Sequence, residues 1–571
     1  MGTRLLIPLS LMLAGTLTAS GIPARRAWFP YTQPDGTVIS VMTVGDEYGH
    51  YYLDTEGRAM TADADGTLRH TGLTVGEVVA RTAVRADSVR ASRLRHATAM
   101  PAISRADATP PQYGMGLFTY AYPRTGEVRS LVFLVEFADK AFTMDDPDTF
   151  YSRQLNEEDF SGNRAYGSAR DYFICQSGGV FQPHFDVFGP VVLPHETAYY
   201  GANDYAGNDR RPEQMVTDAA ALLADEIDFS EYDLDGDGYV DNIYVIYAGY
   251  GENNGGSRDT VWPHSYQIRR GPEYNGVRIY GYACSNEISD GEPDGIGTFC
   301  HEYSHVLGLP DLYSTSASLS CTPHDWDIMD SGSYNNDSRT PPNYSSFERN
   351  AVGWMRPAIA GGNAEVTLDA LGESNSAILI PTARDEEFFL LENRQKTGWD
   401  EYLPGHGLLV WHIDFRKSVW DANTVNNSRS HQYVDIVEAN GQTSTRRDVM
   451  TGYSFPGTSG NHALTATTEP ALLAWDGTKT GYSVTGIAES GGTVSFSLSV
   501  GDDTNGIGSV AAPDGITVSG RTVFCDGAAT ACIYRPDGTA AARLTSGQSA
   551  MLSPGLYIVA TDGTRYRIII K

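Results

Sequence analysis

His301 and His305 stand four residues apart in the segment CHEYSHVLGLPDLY, residues 300–313, with Glu302 directly after the first. On a helix that spacing puts two imidazoles one turn apart on one face, where they can share one zinc ion. Glu302 then falls where a carboxylate acts as general base on a metal-activated water. Gly308 predicts the end of the helix and a turn that brings Asp311 up as the third ligand. The pattern is H-E-x-x-H-x-x-G-x-x-H with Asp in place of the last His. Glu348, in the predicted helix NYSSFERNAVGW, is the rival third ligand. The segment WDIM at 326–329 places Met329 where a Met-turn under the metal is expected. Tyr334 and His324 are candidates for stabilising the transition state, and an extended substrate is expected to pair with an edge strand at 277–284.

A second cluster offers different chemistry. Asp233, Asp235, Asp237 and Asp241 lie in DLDGDGYVD, with glycines that permit a tight turn. Alternating carboxylates of this kind open a calcium loop, so calcium is expected beside zinc. Position 12 of an EF-hand would fall on Tyr244, which excludes that motif.

These residues need a scaffold, and the rest of the chain suggests one. The 571 residues carry 71 acidic against 41 basic side chains, a net charge of −30. The excess sits in residues 109–500, since both flanks are nearly neutral. Such acidity excludes nucleic acid as the main partner, because phosphate binding needs a positive face. Hydrophobic residues at 41% and aromatics at 11% exclude a disordered acidic chain. Runs at 128–137 and 243–248 predict strands, 168–175, 212–227 and 295–307 predict helices, and 181–193 reads as extended. From 358 to 500 short strands alternate with Gly and Asn turns.

The opening MGTRLLIPLSLMLAGTLTAS has the basic start, apolar run and small-residue end of a secretory signal. No later segment is apolar enough to span a bilayer, so a secreted or surface location is expected. Six cysteines permit up to three disulfides in an exported protein, and Cys525 and Cys532 are near enough to close a hairpin. Residues 21–80 read as a small β-rich module, and 81–105, with six Arg, read as a flexible basic linker and activation site.

Taken with WDIMDSGSY, the motif HEYSHVLGLPDLY resembles the immune inhibitor A-like (M6) metalloendopeptidases. SARDYFICQSGG, DLDGDGYVDNIYVIYAGYGE, VWPHSY, LLENRQKTGWDEYLPGHGLLVWHID and YSFPGTSG look like the same family, over about residues 110–500. The resemblance implies an α+β, metzincin-like zinc peptidase acting on protein or peptide substrates. It also makes His264, in VWPHSY, a candidate site residue, with a structural role at least as expected. Residues 21–80 resemble a propeptide. Latency could come from an aspartate such as Asp35 or Asp54, or from simple occlusion. The end of the chain resembles the sorting domains of the type IX secretion route of Bacteroidetes, which implies contact with outer-membrane secretion machinery. The expected organisation is signal peptide 1–20, propeptide and linker 21–108, catalytic domain 109–357, β-rich domain 358–500, and linker with β-sandwich sorting domain 501–571. The alternative function is a surface adhesin or carbohydrate-binding protein with an inert peptidase core. Oligomeric state is not readable from these patterns.

Overall fold

A computed structural model describes residues 20–63, 65–97, 122–204, 207–316, 322–384, 386–501, 516–519, 522–525, 530–535, 539–553, 555–561 and 564–570. Residues 1–19 of the expected signal peptide and residues 98–105 of the expected linker lie outside this set.

Residues 126–289 contribute strands to a mixed sheet. Gly126–Glu136 pairs in parallel with Phe181–Val192 on one side and with Ile243–Tyr250 on the other. Gly281–Ser289 continues the parallel run, and His264–Gln267 then pairs antiparallel to it. The period of two along the central strands divides their side chains between two cores. Leu131, Phe133 and Val135 join Met215, Val216 and Ala219 of the helix Pro212–Leu223. Val132 and Leu134 face the opposite way, with Tyr172 and Phe173 of the helix Ala169–Ser177 and with Phe299 and Tyr303 of the helix Gly297–Val306. Strands buried on both faces read as continuous apolar runs, which is why 128–137 and 243–248 stand out in the sequence.

Three expectations change here. The first concerns the edge strand. Val277–Ile279 belongs to a separate three-stranded sheet, and Gly281–Ser289 has neighbours on both sides. The antiparallel strand nearest the motif helix is instead His264–Gln267. Alternation in one strand does not disclose its neighbours. The second concerns the basic linker, whose first part is helical within Val75–Ala97. Val78, Thr82 and Ala86 are buried at helical spacing, and Ala and Arg are good helix formers. The third concerns disulfides: Cys175, Cys284, Cys300, Cys525 and Cys532 form no disulfide with one another, and Cys321 lies outside the described residues.

Residues 29–70 form an antiparallel five-stranded sheet. The strands Glu387–Arg394 and Gly407–Asp414 centre another, and their Phe388, Leu390 and Trp411 share one core with the motif helix. Residues 365–463 therefore belong to the same compact unit as the mixed sheet and the motif helix. A second unit comprises 362–364, 464–484 and 497–571. Within it, two antiparallel sheets contribute to one buried cluster that includes Val523, Ile533, Leu544 and Val559. No helix among the described residues is long and apolar enough to cross a membrane.

Candidate metal centre and cleft

The motif helix spans Gly297–Val306 and is buried along its length up to His305. Its first turn presses on the loop below, where a Cβ on Gly297 would lie 1.9 Å from the Ser333 carbonyl oxygen, so only glycine fits. The helix closes at Gly308, whose φ of +103° suits glycine. The chain then returns beneath the histidines. The Leu309 carbonyl accepts from Nδ1 of His305 at 2.7 Å, and the Ile328 carbonyl accepts from Nδ1 of His301 at 2.7 Å. Ile328 precedes Met329, which is fully buried and whose carbonyl accepts the Leu312 N–H at 2.8 Å. The 326–329 segment thus supports His301 through its backbone.

Those hydrogen bonds fix the tautomers. A carbonyl can only accept, so each Nδ1 carries the proton and each Nε2 offers a lone pair. Both Nε2 atoms lie 3.2 Å from Oδ1 of Asp311, itself an acceptor. Three lone-pair donors are thus buried together with no hydrogen bond among them. A cation resolves that conflict, and two imidazoles plus a carboxylate form a suitable zinc set with positions left for water and substrate. The other Asp311 oxygen accepts from Asn423 Nδ2, and Asn423 Oδ1 accepts the Asp311 N–H at 2.8 Å. Asn423, more than a hundred residues downstream, orients Asp311 as outer partners do in metal sites.

The rival ligand is placed otherwise. Glu348 caps its own helix, accepting from Ser345 N at 2.6 Å and Ser345 Oγ at 3.0 Å, and is not in the histidine cluster. His324 is buried beside Asp330, 4.0 Å away. His264 lies on the antiparallel strand, with its ring held by the Trp262 carbonyl at 2.6 Å and the Tyr282 hydroxyl at 2.7 Å. In the acidic loop, Asp233, Asp235 and Asp237 come together, and Asp241 is outside their group.

Glu302 is fully buried. Burial raises its pKa well above the usual carboxylate value, and the Asp311 and Glu47 carboxylates add to this. Its Oε1 accepts the backbone N–H of Ile22 at 2.8 Å. The N-terminal strand Ser20–Gly21 lies antiparallel along His264–Gln267, with Gly21 opposite His264. From there the chain crosses the cleft. The Tyr313 hydroxyl donates to the Gly21 carbonyl, Trp262 Nε1 donates to the Ile22 carbonyl at 2.9 Å, and the Tyr334 hydroxyl donates to the Pro23 carbonyl at 2.6 Å. Asn253 donates to Tyr334 at 2.9 Å, and its backbone carbonyl accepts the Arg25 N–H at 2.9 Å. A Cβ on Gly21 would fall 2.7 Å from a Glu47 oxygen and 2.8 Å from the Pro263 carbonyl, so this position takes glycine alone. Glu47 comes from the tip of the hairpin formed by Val38–Asp46 and Gly49–Asp54.

Sequence reasoning missed Tyr313, Trp262, Asn253 and the strap across the cleft. Tyr313 closes the motif two residues past Asp311, and Trp262 precedes His264 in VWPHSY, so proximity to chemistry-bearing segments was the available signal. Tyr334 does face the cleft, two residues along the strap from the carbonyl at Gly21. Asp35 and Asp54 accept hydrogen bonds within the sheet of residues 29–70 itself.

Residues 121–363 match the family described as immune inhibitor A peptidase M6, catalytic domain. The chain is 28% identical to Immune inhibitor A of Bacillus thuringiensis subsp. alesti over 313 residues, 46% of this chain and 44% of that protein. It is 25% identical to the Pre-pro-metalloprotease PrtV of Vibrio cholerae serotype O1 over 228 residues, 35% of this chain and 25% of that one. The chain thus spans less than half the length of these relatives. A solved structure of catalytically inactive OgpA from Akkermansia muciniphila, with an O-glycopeptide, aligns over 50% of this chain at 11% identity and a TM-score of 0.20, too low to indicate a shared fold. Residues 121–363 thus resemble the catalytic domain of the immune inhibitor A (M6) peptidases, and the relatives matched over this region include a metalloprotease.

Proposed function

We propose that the protein is a secreted zinc endopeptidase, made as a latent precursor, that hydrolyses peptide bonds in protein substrates. The observation that carries this is the convergence of two imidazole lone pairs and one carboxylate in a buried pocket beside Glu302. His301, His305 and Asp311 would hold the zinc, which when bound polarises a carbonyl and lowers the pKa of water to about 7.

The residues of the chain do the rest. Glu302 accepts a proton from the attacking water and delivers it to the leaving nitrogen. Its contact with the Ile22 N–H supports that assignment, because the atom it touches is a peptide nitrogen. Tyr313, as a donor on the adjoining carbonyl, is the better candidate for holding the developing oxyanion, and Tyr334 binds the chain farther along. Main-chain pairing to His264–Gln267 would fix an extended substrate.

Latency fits occlusion. Residues 21–25 follow a substrate's path, and Glu47 closes over Gly21. Cleavage within the Arg-rich 81–105 segment would release the sheet that anchors the strap. Export through residues 1–20, a type IX sorting role for the C-terminal β-rich region and calcium on the 233–241 loop remain parts of the same proposal. The last is supported only by the approach of three carboxylates.

The test is casein hydrolysis by the full chain after limited trypsin treatment and trypsin inhibition, with and without chelator. Chelator-sensitive cleavage that is absent in Glu302→Ala is expected. No cleavage by the processed wild type would overturn the reading.

A further inference from the structure

The strap that fills the cleft makes two kinds of contact. Most are to its main chain. The carbonyls of Gly21, Ile22 and Pro23 and the N–H of Arg25 all meet catalytic-domain partners, and such contacts are available to any peptide. With the Ile22 nitrogen on Glu302 and the Gly21 carbonyl under Tyr313, the bond between Gly21 and Ile22 stands at the reactive position. This register makes Arg25 the fourth residue after that bond.

Arg25 is where the strap makes a side-chain-specific contact with the catalytic domain. Its side chain is 12% exposed. Nη1 donates to Ser289 Oγ at 2.8 Å and lies 2.7 Å from Oδ2 of Asp290, while Nη2 donates to Oδ1 of Asp337 at 2.9 Å. Ser289 ends a strand of the central sheet and Asp290 begins the turn after it. Asp337 comes from the loop following the short helix Ser331–Tyr334. Two separate loops thus converge two carboxylates and a hydroxyl on one planar guanidinium, the geometry that Arg satisfies best. All three groups lie outside the propeptide, so they remain when it leaves.

We propose that Ser289, Asp290 and Asp337 form a substrate subsite for a basic side chain, arginine before lysine, at the fourth residue after the scissile bond. This rests on the endopeptidase reading above. In the precursor Arg25 occupies the subsite, and in the processed enzyme a substrate's arginine replaces it. The acidity of the catalytic region draws basic peptides toward the cleft in the same sense.

The test uses the full chain, processed with trypsin that is then inhibited, and quenched peptides that differ only at the fourth residue after the cut: Arg, Lys, Ala or Glu. Mass spectrometry fixes the bond cleaved. With both carboxylates half-exposed, kcat/KM for Arg is expected to exceed that for Ala by about tenfold, with Lys between and Glu lowest. Moving Arg to the third or fifth position should remove the gain. In Asp290→Asn/Asp337→Asn the Arg-to-Ala ratio should fall close to one, and Asp290→Lys should favour the Glu peptide over the Arg peptide. Each ratio is taken within one protein, so altered folding of a variant does not mimic the result. Equal cleavage of the Arg and Ala peptides by wild type overturns the subsite while leaving the endopeptidase reading intact. Failure to cleave any peptide overturns both.

Discussion

Two clusters of metal-capable residues sit in the same compact unit, and their lone pairs are used differently. In the acidic loop, Asp233 accepts from Asp237 N at 2.9 Å and from Gly238 N at 2.9 Å, Asp237 accepts from Tyr239 N at 2.9 Å, and Asp241 accepts from Leu234 N at 2.8 Å. The loop largely satisfies its own carboxylates and lies partly in water. At the histidine cluster the reverse holds. The Nε2 atoms and Oδ1 of Asp311 are buried against one another, while every outward-facing atom of the set is pinned by backbone or by Asn423. Spacing suggested a metal for both. Burial and the direction of the lone pairs distinguish a cluster that needs a cation from one that tolerates its absence.

The comparison can be broken in graded ways. The largest effect is expected from Glu302→Gln, which should lower kcat of the processed enzyme by about 10²–10⁴ with zinc still bound, since it removes the proton carrier alone. A smaller loss, on the order of 10²-fold in kcat with little change in KM, is expected for Tyr313→Phe. Tyr334→Phe should instead act mainly on KM. Steady-state assays on one peptide separate the two. At the acidic loop, Asp235→Asn/Asp237→Asn should change peptidase activity by less than about tenfold, because the hydrogen bonds to its carboxylates come from the loop's own backbone. A larger loss would place the loop in the working site.

The smallest effect is on stability. Burial pushes the Asp241 carboxyl up to about 7, and the neighbouring aspartates push the same way. A carboxyl whose folded pKa is raised favours the fold when protonated. Its contribution is therefore present below about pH 4 and is lost as pH rises toward 7. In chelator, the urea midpoint should carry this decline in wild type and lose it in Asp241→Asn. Calcium binding at the loop would appear as a midpoint restored by calcium near pH 7.

Much of this was legible because it is local. His301, Glu302, His305, Gly308 and Asp311 occupy one turn and one loop, so their spacing alone predicts their convergence. The strands Gly126–Glu136 and Ile243–Tyr250 announce themselves because both of their faces are buried. What was not legible depends on partners distant in sequence. Asn423 carries no signal that it meets Asp311, 112 residues away. Tyr313 and Trp262 become cleft residues only because the strap runs past them. The edge-strand expectation failed for the same reason: 277–284 alternates, but alternation does not say which side has a neighbour. The helix Val75–Ala97 was hidden by its charge, since few apolar residues suffice to seat one helix face on the strand Gly49–Asp54.

On the proposed reading the histidine cluster, and not the acidic loop, holds the catalytic metal. Elemental analysis of the purified full chain after dialysis tests it most directly. The account predicts one zinc per chain in wild type and in Asp235→Asn/Asp237→Asn, and almost none in His305→Ala or Asp311→Ala. Zinc retained at full stoichiometry in His305→Ala and Asp311→Ala, or lost in the loop variant, would contradict it.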